Sequence, residues 1–216
     1  MNITNYKTLV FDCDGVLLNS NQVKTKAFYN AALSYGEVAA QQLVDYHVKR
    51  GGISRYKKFE WFFNHVIPRQ QGPNIEQLLQ VYAHEVLEGL LTCEVIKGLD
   101  ELRLKTKDAN WLVVSGGDQQ ELRHVFSERG LYDFFEGGIF GSPDSKDEIL
   151  KRELDSQNIT QPALFLGDSE YDHQAAKNAN LDFVFMNYWT EFGDWENYCQ
   201  KNNIVVTSTL KNLFIE

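Results

Sequence analysis

Four short apolar runs each end on a polar or small residue, and this recurrence limits the chain to one kind of fold. Thr8-Leu9-Val10-Phe11 runs into Asp12, Trp111-Leu112-Val113-Val114 into Ser115, Ala163-Leu164-Phe165-Leu166 into Gly167-Asp168, and Phe183-Val184-Phe185-Met186 into Asn187. Apolar runs of this length, without alternation, read as strands buried on both faces. Gly138-Ile139-Phe140 is a weaker fifth candidate. Helix-like stretches lie between them: one over 118–126, with Asp118 as the cap and Glu121 completing a capping box, one over 147–154 and one over 171–179. Strands alternating with helices predict an α/β fold with a parallel sheet covered on both faces. Ligands of such sheets bind beyond the carboxyl ends of the strands, where these polar residues fall.

The interval 19–93 has a different texture. It holds no comparable apolar run but three helical faces: Val23, Ala27 and Ala31; Tyr56, Phe59 and Phe63; and Leu78, Leu79, Tyr82 and Val86. Gly51-Gly52, Pro68 and Gly72-Pro73 punctuate it. The reading is a helical cap over 19–93 inserted into a core formed by 1–18 and 94–216. The aromatics Phe59, Trp61, Phe62 and Phe63 are expected to build the cap's own core.

Bulk properties exclude several classes. With 216 residues, 43% hydrophobic and 13% aromatic, the chain can bury a core and is not a disordered segment. A net charge of −9 removes the broad basic footprint of a nucleic-acid binder. Cys13, Cys93 and Cys199 have no paired spacing, which speaks against a disulfide framework or a structural zinc site. No apolar run approaches the ~20 residues of a membrane span, and the opening segment lacks the charged-then-apolar layout of a secretion signal. The expectation is a cytoplasmic monomer with neither a membrane nor a nucleic-acid partner.

The strand-end residues form a chemical set. Asp12 and Asp14, two apart on an extended segment, point the same way. With Asp168 they can share a cation, and Ser115, Gly116 and Lys146 can hold an anion beside it. This is equipment for moving a phosphoryl group. Cys13, between the two aspartates, should face the core and be inert. His65, His84, His124 and His173 have no ligand spacing, and the aromatic-rich stretch 188–203 suggests no function.

At Asp12-Cys13-Asp14-Gly15-Val16-Leu17 the sequence resembles the haloacid dehalogenase superfamily, in its phosphatase branch. Gly167-Asp168-Ser169-Glu170-Tyr171-Asp172, followed by Ala175-Ala176 and Ala179, is similar to the family's last motif, and Ser115 and Lys146 stand in order for the two between. The resemblance spans the chain and is closest to the phosphoglycolate phosphatase and β-phosphoglucomutase-like subgroup. It implies a Rossmann-like core with an inserted helical cap, Mg²⁺ as cofactor and a small phosphorylated metabolite as substrate, a sugar phosphate or short phospho-acid. His47-Val48-Lys49-Arg50-Gly51-Gly52-Ile53-Ser54-Arg55 looks like the cap loop that selects the substrate.

On that resemblance Asp12 is the nucleophile that becomes phosphorylated, since a carboxylate is already ionised near neutrality. Asp14 is the general acid and base, and its backbone carbonyl joins Asp12 and Asp168 on the metal. Asp172 accepts from a metal-bound water or from Lys146. Arg50 and Arg55, with Lys49, meet the anionic substrate. A dehalogenase is disfavoured because a departing halide needs no proton and so no Asp14. Two departures stand out. Asp147, not proline, follows Lys146, and Lys24 stands where mutase members carry a histidine. The second favours hydrolysis over a phosphosugar mutase, the alternative within enzymes. A non-catalytic phosphometabolite-binding member is the alternative outside them.

Overall fold

The computed structural model describes residues 2–68 and 71–214. After β1 (Thr8–Phe11) come four helices, α1 (Asn21–Ala32), α2 (Glu37–Lys49), α3 (Arg55–His65) and α4 (Ile75–Thr92). The chain continues through α5 (Leu99–Lys105), β2 (Asn110–Asp118), α6 (Gln119–Glu128), β3 (Gly138–Ser142), α7 (Lys146–Asp155) and β4 (Ala163–Gly167). It ends with α8 (Glu170–Asn178), β5 (Asp182–Met186), α9 (Trp195–Asn202) and β6 (Val205–Thr207). The strands form one six-stranded sheet in the order β3-β2-β1-β4-β5-β6, with every pairing parallel. The fold is therefore α/β with α1–α4 inserted between β1 and β2.

β1 lies at the centre, with Phe11 level with Val113 on one side and Leu166 on the other. The Asp12 amide still bonds to the Leu166 carbonyl at 2.9 Å, so the chain leaves the sheet only after Asp12 is aligned with β4. Strand alternation divides the core. Leu9, Phe11, Trp111, Val113, Leu164 and Leu166 face one side, and Val10, Leu112, Val114 and Phe165 face the other. The first side is continuous with the cap interior, in one apolar cluster that reaches Phe28, Phe59, Tyr82 and Leu90. Phe11 and Trp111 anchor it, their centroids 4.9 Å apart.

The structure corrects several local readings. β2 does not stop at Ser115 but runs to Asp118, with its register against β3 shifting between Val114 and Asp118. Gly116 and Gly117 therefore lie in a bulged strand end and not at a helix start. Asp118 caps α6 by accepting from the amides of Gln120 and Glu121, but Glu121 completes no capping box because Arg55 takes its carboxylate. The buried face of α3 is turned from the expected one. Tyr56 is 39% exposed while Phe62 is buried, and Tyr56 Oη donates to Asp118 at 2.8 Å across to the core. His47, Val48 and Lys49 belong to α2, which leaves 50–54 as the cap loop. The stretch 188–203, unassigned from sequence, contains a loop and α9. Among the described residues no helix is long and apolar enough to cross a membrane.

Phe59 is fully buried and lies 5.3 Å from Phe28 and 5.9 Å from Tyr82, ring to ring. Phe59→Ala should cost about 3–5 kcal/mol of stability, read from urea unfolding. A loss below about 1 kcal/mol would mean that the insert does not depend on this aromatic centre.

Candidate active site

A cavity of about 150 Å³ opens at the carboxyl ends of β1, β2 and β4 beneath the inserted helices. Asp12, Asp14, Gly116, Gly117 and Asp168 line it from the sheet, and Lys24, His47, Arg50, Arg55 and Lys58 from the insert. Ser115 and Lys146 are fully buried just behind it.

Lys146 is the first residue of α7, where a cation opposes the helix dipole. The position is tolerated because its Nζ turns back into the site, 2.9 Å from Asp12 Oδ1 and bonded to Asp172 Oδ1. Both carboxylates raise the ammonium's pKa against the effect of burial. Asp172 is held on its other oxygen by Ser169 Oγ at 2.7 Å and by the amides of Asp168 and Ser169 at 3.2 and 3.1 Å. These contacts form the capping box of α8.

Carboxylate oxygens of Asp12, Asp168 and Asp172 lie within 4.8 Å of one another. The hydrogen bonds divide that cluster into two parts. Asp172 is saturated. Asp12 Oδ1 accepts from Lys146 and from the Cys13 amide at 2.7 Å, and Asp168 Oδ2 accepts from Asn21 Nδ2 at 2.8 Å. Among the described residues, Asp12 Oδ2 and Asp168 Oδ1 receive nothing. Burial pushes the Asp12 carboxyl up to about 7 even though Lys146 pulls it down, with Asp172 and Asp14 adding to the rise. Burial likewise pushes Asp168 well above the usual range, helped by Asp12 and Asp172. Two buried carboxylates, each with a bare oxygen toward one cavity, fit a hard divalent cation such as Mg²⁺.

Asp14 is set apart from that cluster. Its carboxylate is bonded to Lys24 of α1 and accepts from Ser20 Oγ at 2.6 Å. Burial alone would raise it, but Lys24 and then Ser20 override this and hold the carboxyl below its usual range. Gly15 has φ +74°, and a Cβ there would lie 2.1 Å from Asp168 Oδ2, so the turn after Asp14 requires glycine.

The other residues singled out from sequence fall in different places. Ser115 Oγ accepts from the Gly117 amide at 3.1 Å and does not line the cavity, whereas Gly116 does. Lys146 borders a second cavity of about 140 Å³ with Ser145, Gly52 and Gly116. The cap loop separates the two, because Gly52 carbonyl lies so near Gly116 that a Cβ there would be 2.1 Å from it. Arg55 is buried, and its fork is taken by Glu121. Lys49 and Arg50 are exposed at the rim.

Several site residues have no sequence signal. Asn21 donates to Asp168 and, at 2.9 Å, to the Trp189 carbonyl. Thr190 Oγ1 donates to the Asp168 carbonyl at 2.6 Å, and Thr25 Oγ1 donates to Glu191 at 2.7 Å. The loop before α9 thus ties the end of β4 to α1. Only the pairing of a polar residue early in the insert with a Trp-Thr-Glu run after β5 would have pointed to it, and neither is distinctive alone. His47 and Lys58, whose nitrogens are 2.6 Å apart, are a second missed pair.

The sequence matches the haloacid dehalogenase-like hydrolase family over residues 6–180. No curated protein matches it in sequence. Solved structures share its fold across nearly the whole chain. A predicted phosphatase from Clostridium acetobutylicum has a TM-score of 0.67 at 20% identity, covering 94% of each chain. A predicted phosphoglycolate phosphatase from Haemophilus somnus has a TM-score of 0.70 at 16% identity, also covering 94% of each chain. CbbY from Rhodobacter sphaeroides, in complex with xylulose-(1,5)bisphosphate, has a TM-score of 0.67 at 15% identity, covering 97% of this chain and 100% of that one.

A metal-dependent stability follows from the carboxylate geometry. Unfolded aspartates titrate near ~3.9, and Asp12 and Asp168 are raised in the fold, Asp12 to about 7. The metal-free protein therefore binds more protons than its unfolded chain between these values, and this contribution to stability is lost as pH rises toward 7. A divalent cation replaces those protons only where they have left. Mg²⁺ should raise the melting temperature more at pH ~7.5 than at pH ~5, and Asp168→Asn should remove most of the shift. Equal shifts at both pH values would contradict the site.

Proposed function

The chain belongs to the haloacid dehalogenase-like hydrolases, and from that premise we propose that it is a Mg²⁺-dependent phosphomonoesterase working through a phospho-aspartyl intermediate on Asp12. The observation that carries this reading is the bare Asp12 oxygen facing a small cavity, with Lys146 clamped behind it and Asp14 two residues on. The cavity is well below the ~300–1,000 Å³ of drug-sized ligand sites, which supports a small metabolite. The bisphosphate bound by CbbY is of that kind.

Mg²⁺, held by Asp12, Asp168 and the Asp14 carbonyl, would neutralise charge on the phosphoryl group. The remaining work falls to the chain. Lys146 fixes the orientation of the Asp12 carboxylate through Oδ1. A lone pair on the carboxylate oxygen that does not hold the cation forms a bond to phosphorus as the bond to the alcohol oxygen breaks. The alkoxide takes a proton from Asp14. Lys24 keeps Asp14 ionised at rest, so Asp14 takes up a solvent proton before this step, while Lys24 and Ser20 orient the carboxyl that delivers it. In the second half Asp14 recovers a proton from a water whose oxygen attacks phosphorus. The Asp12–phosphorus bond breaks and inorganic phosphate leaves. The Gly52–Gly116 contact limits water in the site while the insert is closed.

A phosphosugar mutase is the second reading, and Lys24, standing where mutase members carry a histidine, weighs against it. Free phosphate against isomer formation from a hexose 1-phosphate separates the two. All four motif aspartates are present, which weighs against a non-catalytic member.

Two outcomes test the proposal. Asp12→Asn should abolish phosphate release from every ester, and near wild-type turnover would overturn the assignment. In Asp14→Asn the single-turnover rate of alcohol release, which reports the first half alone, should fall by ~10²–10⁴ for alkyl phosphates but much less for p-nitrophenyl phosphate, whose leaving group needs no proton. Equal losses on both would remove Asp14 from proton transfer.

A further inference from the structure

Among the described residues five basic side chains are buried, and all lie in or against the site: Lys24, His47, Arg55, Lys58 and Lys146. Lys24 is bonded to Asp14, Arg55 to Glu121, and Lys146 to Asp12 and Asp172. Lys58 differs. Among the described residues it has no carboxylate partner; its Nζ lies 2.6 Å from His47 Nδ1 and 5.5 Å from the centre of the Phe28 ring. It is 2% exposed, and with His47 it lines the cavity that holds Asp12 and Asp168.

Burial, with Lys58 and Lys24 adding to it, holds the His47 imidazole neutral. Nδ1 therefore accepts and Lys58 donates. A neutral imidazole orients the ammonium without balancing its charge. Burial, followed by the nearby Lys24, pushes Lys58 down to about 7, and the carboxylates of Asp14 and Glu191, neither of them bonded to it, offset this only in part. The first turn of α3, where Lys58 sits, adds to the penalty through the helix dipole. The insert thus holds a buried donor aimed into the cavity and lacking an anion.

We propose that Lys58, oriented by His47, receives a carboxylate carried by the alcohol part of the phosphoester, so that the substrate is a phosphorylated hydroxy acid. The inference rests on the phosphomonoesterase reading of the same cavity. A carboxylate fits better than a second phosphate. One ammonium balances one carboxylate, whereas a phosphate brings a charge of ~−1.5 to −2 and three acceptor oxygens. The forked donor that suits phosphate, Arg55, is committed to Glu121, and Lys49 and Arg50 are exposed at the rim.

The test compares acids with neutral esters of matched length: phosphoglycolate with ethyl phosphate, phosphoglycerate with glycerol phosphate, and phosphogluconate with glucitol phosphate. Binding is measured by titration calorimetry with Mg²⁺ in Asp12→Asn, with and without Lys58→Met. At least one acid should bind ~10- to 100-fold more tightly than its neutral match, the scale of a hydrogen bond to a charged group. Lys58→Met should bring that ratio near one. Parity in all three pairs, or a preference that survives Lys58→Met, overturns the proposal. A Lys58-dependent preference for a sugar bisphosphate over its monophosphate that exceeds the carboxylate effect overturns the choice of anion. Melting curves check folding, and Lys58→Gln carries the same reading should Lys58→Met not fold. Phosphate release by the unmodified protein is scored separately. Release without discrimination sinks the receptor alone, and discrimination without release sinks the esterase alone.

Discussion

The architecture turns on one buried ammonium. Lys146 joins the end of β1, through Asp12, to the start of α8, through Asp172. Taking these charges out of water costs several kcal/mol per ion, and the attraction between them recovers this only when geometry and further hydrogen bonds are good. Here they are, because Asp172 completes the capping box of α8 while it receives Lys146. An apolar set of similar volume would serve stability as well. What the ion pairs add is orientation. They fix one oxygen of Asp12 and leave the other bare toward the cavity, and Asn21 does the same for Asp168.

A second constraint is the grip of the insert on the sheet. Lys24 holds Asp14, Asn21 holds Asp168, Arg55 holds Glu121 and Tyr56 holds Asp118. Each pair joins a helix of the insert to the carboxyl end of a strand or, for Glu121, to the first turn of α6. The close approach of Gly52 to Gly116 adds a steric stop that no side chain could replace. The insert therefore takes part in setting the ionisation of the core residues. Asp14 rests as a carboxylate because a residue of α1 reaches it. Without α1, Asp14 would lose the ion pair with Lys24 that holds it ionised.

Much of this was legible in the sequence, for identifiable reasons. The central strands announce themselves because both of their faces are buried, so every residue from Thr8 to Phe11 is apolar or fully enclosed. Asp12, Asp14 and Asp168 stood out because an abrupt change from apolar to acidic at a strand end is rare without a purpose. β6 was missed because it is a short edge strand with Val205 53% exposed. The face of α3 was misjudged because two of its inward residues, Arg55 and Lys58, are cations that hydropathy patterning assigns to solvent. That error is informative. A helix whose inner face carries charge is covering a polar cavity, and the sequence alone cannot distinguish this from a solvated face. Asn21 and Thr190 were invisible for a simpler reason, since their partners are 147 and 22 residues away and neither residue type implies a distant contact.

The charge distribution resolves an apparent conflict. The chain carries 30 acidic against 21 basic residues, yet it is read as acting on an anion. Net charge acts over distance, and at physiological ionic strength exposed charges are largely screened beyond ~8 Å. Within the cavity the local inventory decides. Among the described residues, the buried cations bordering the site other than Lys58 are matched to carboxylates of the chain, so the field they present to a ligand is mostly spent. On the proposed function, discrimination between ligands would rest on what is left unmatched, the free carboxylate oxygens of Asp12 and Asp168 at one end and Lys58 in the insert. An anion touching only the first is held as any phosphate ester would be. On the proposal made for Lys58, a ligand with a second negative group at the right distance would satisfy both ends and supply the counter-charge that Lys58 lacks.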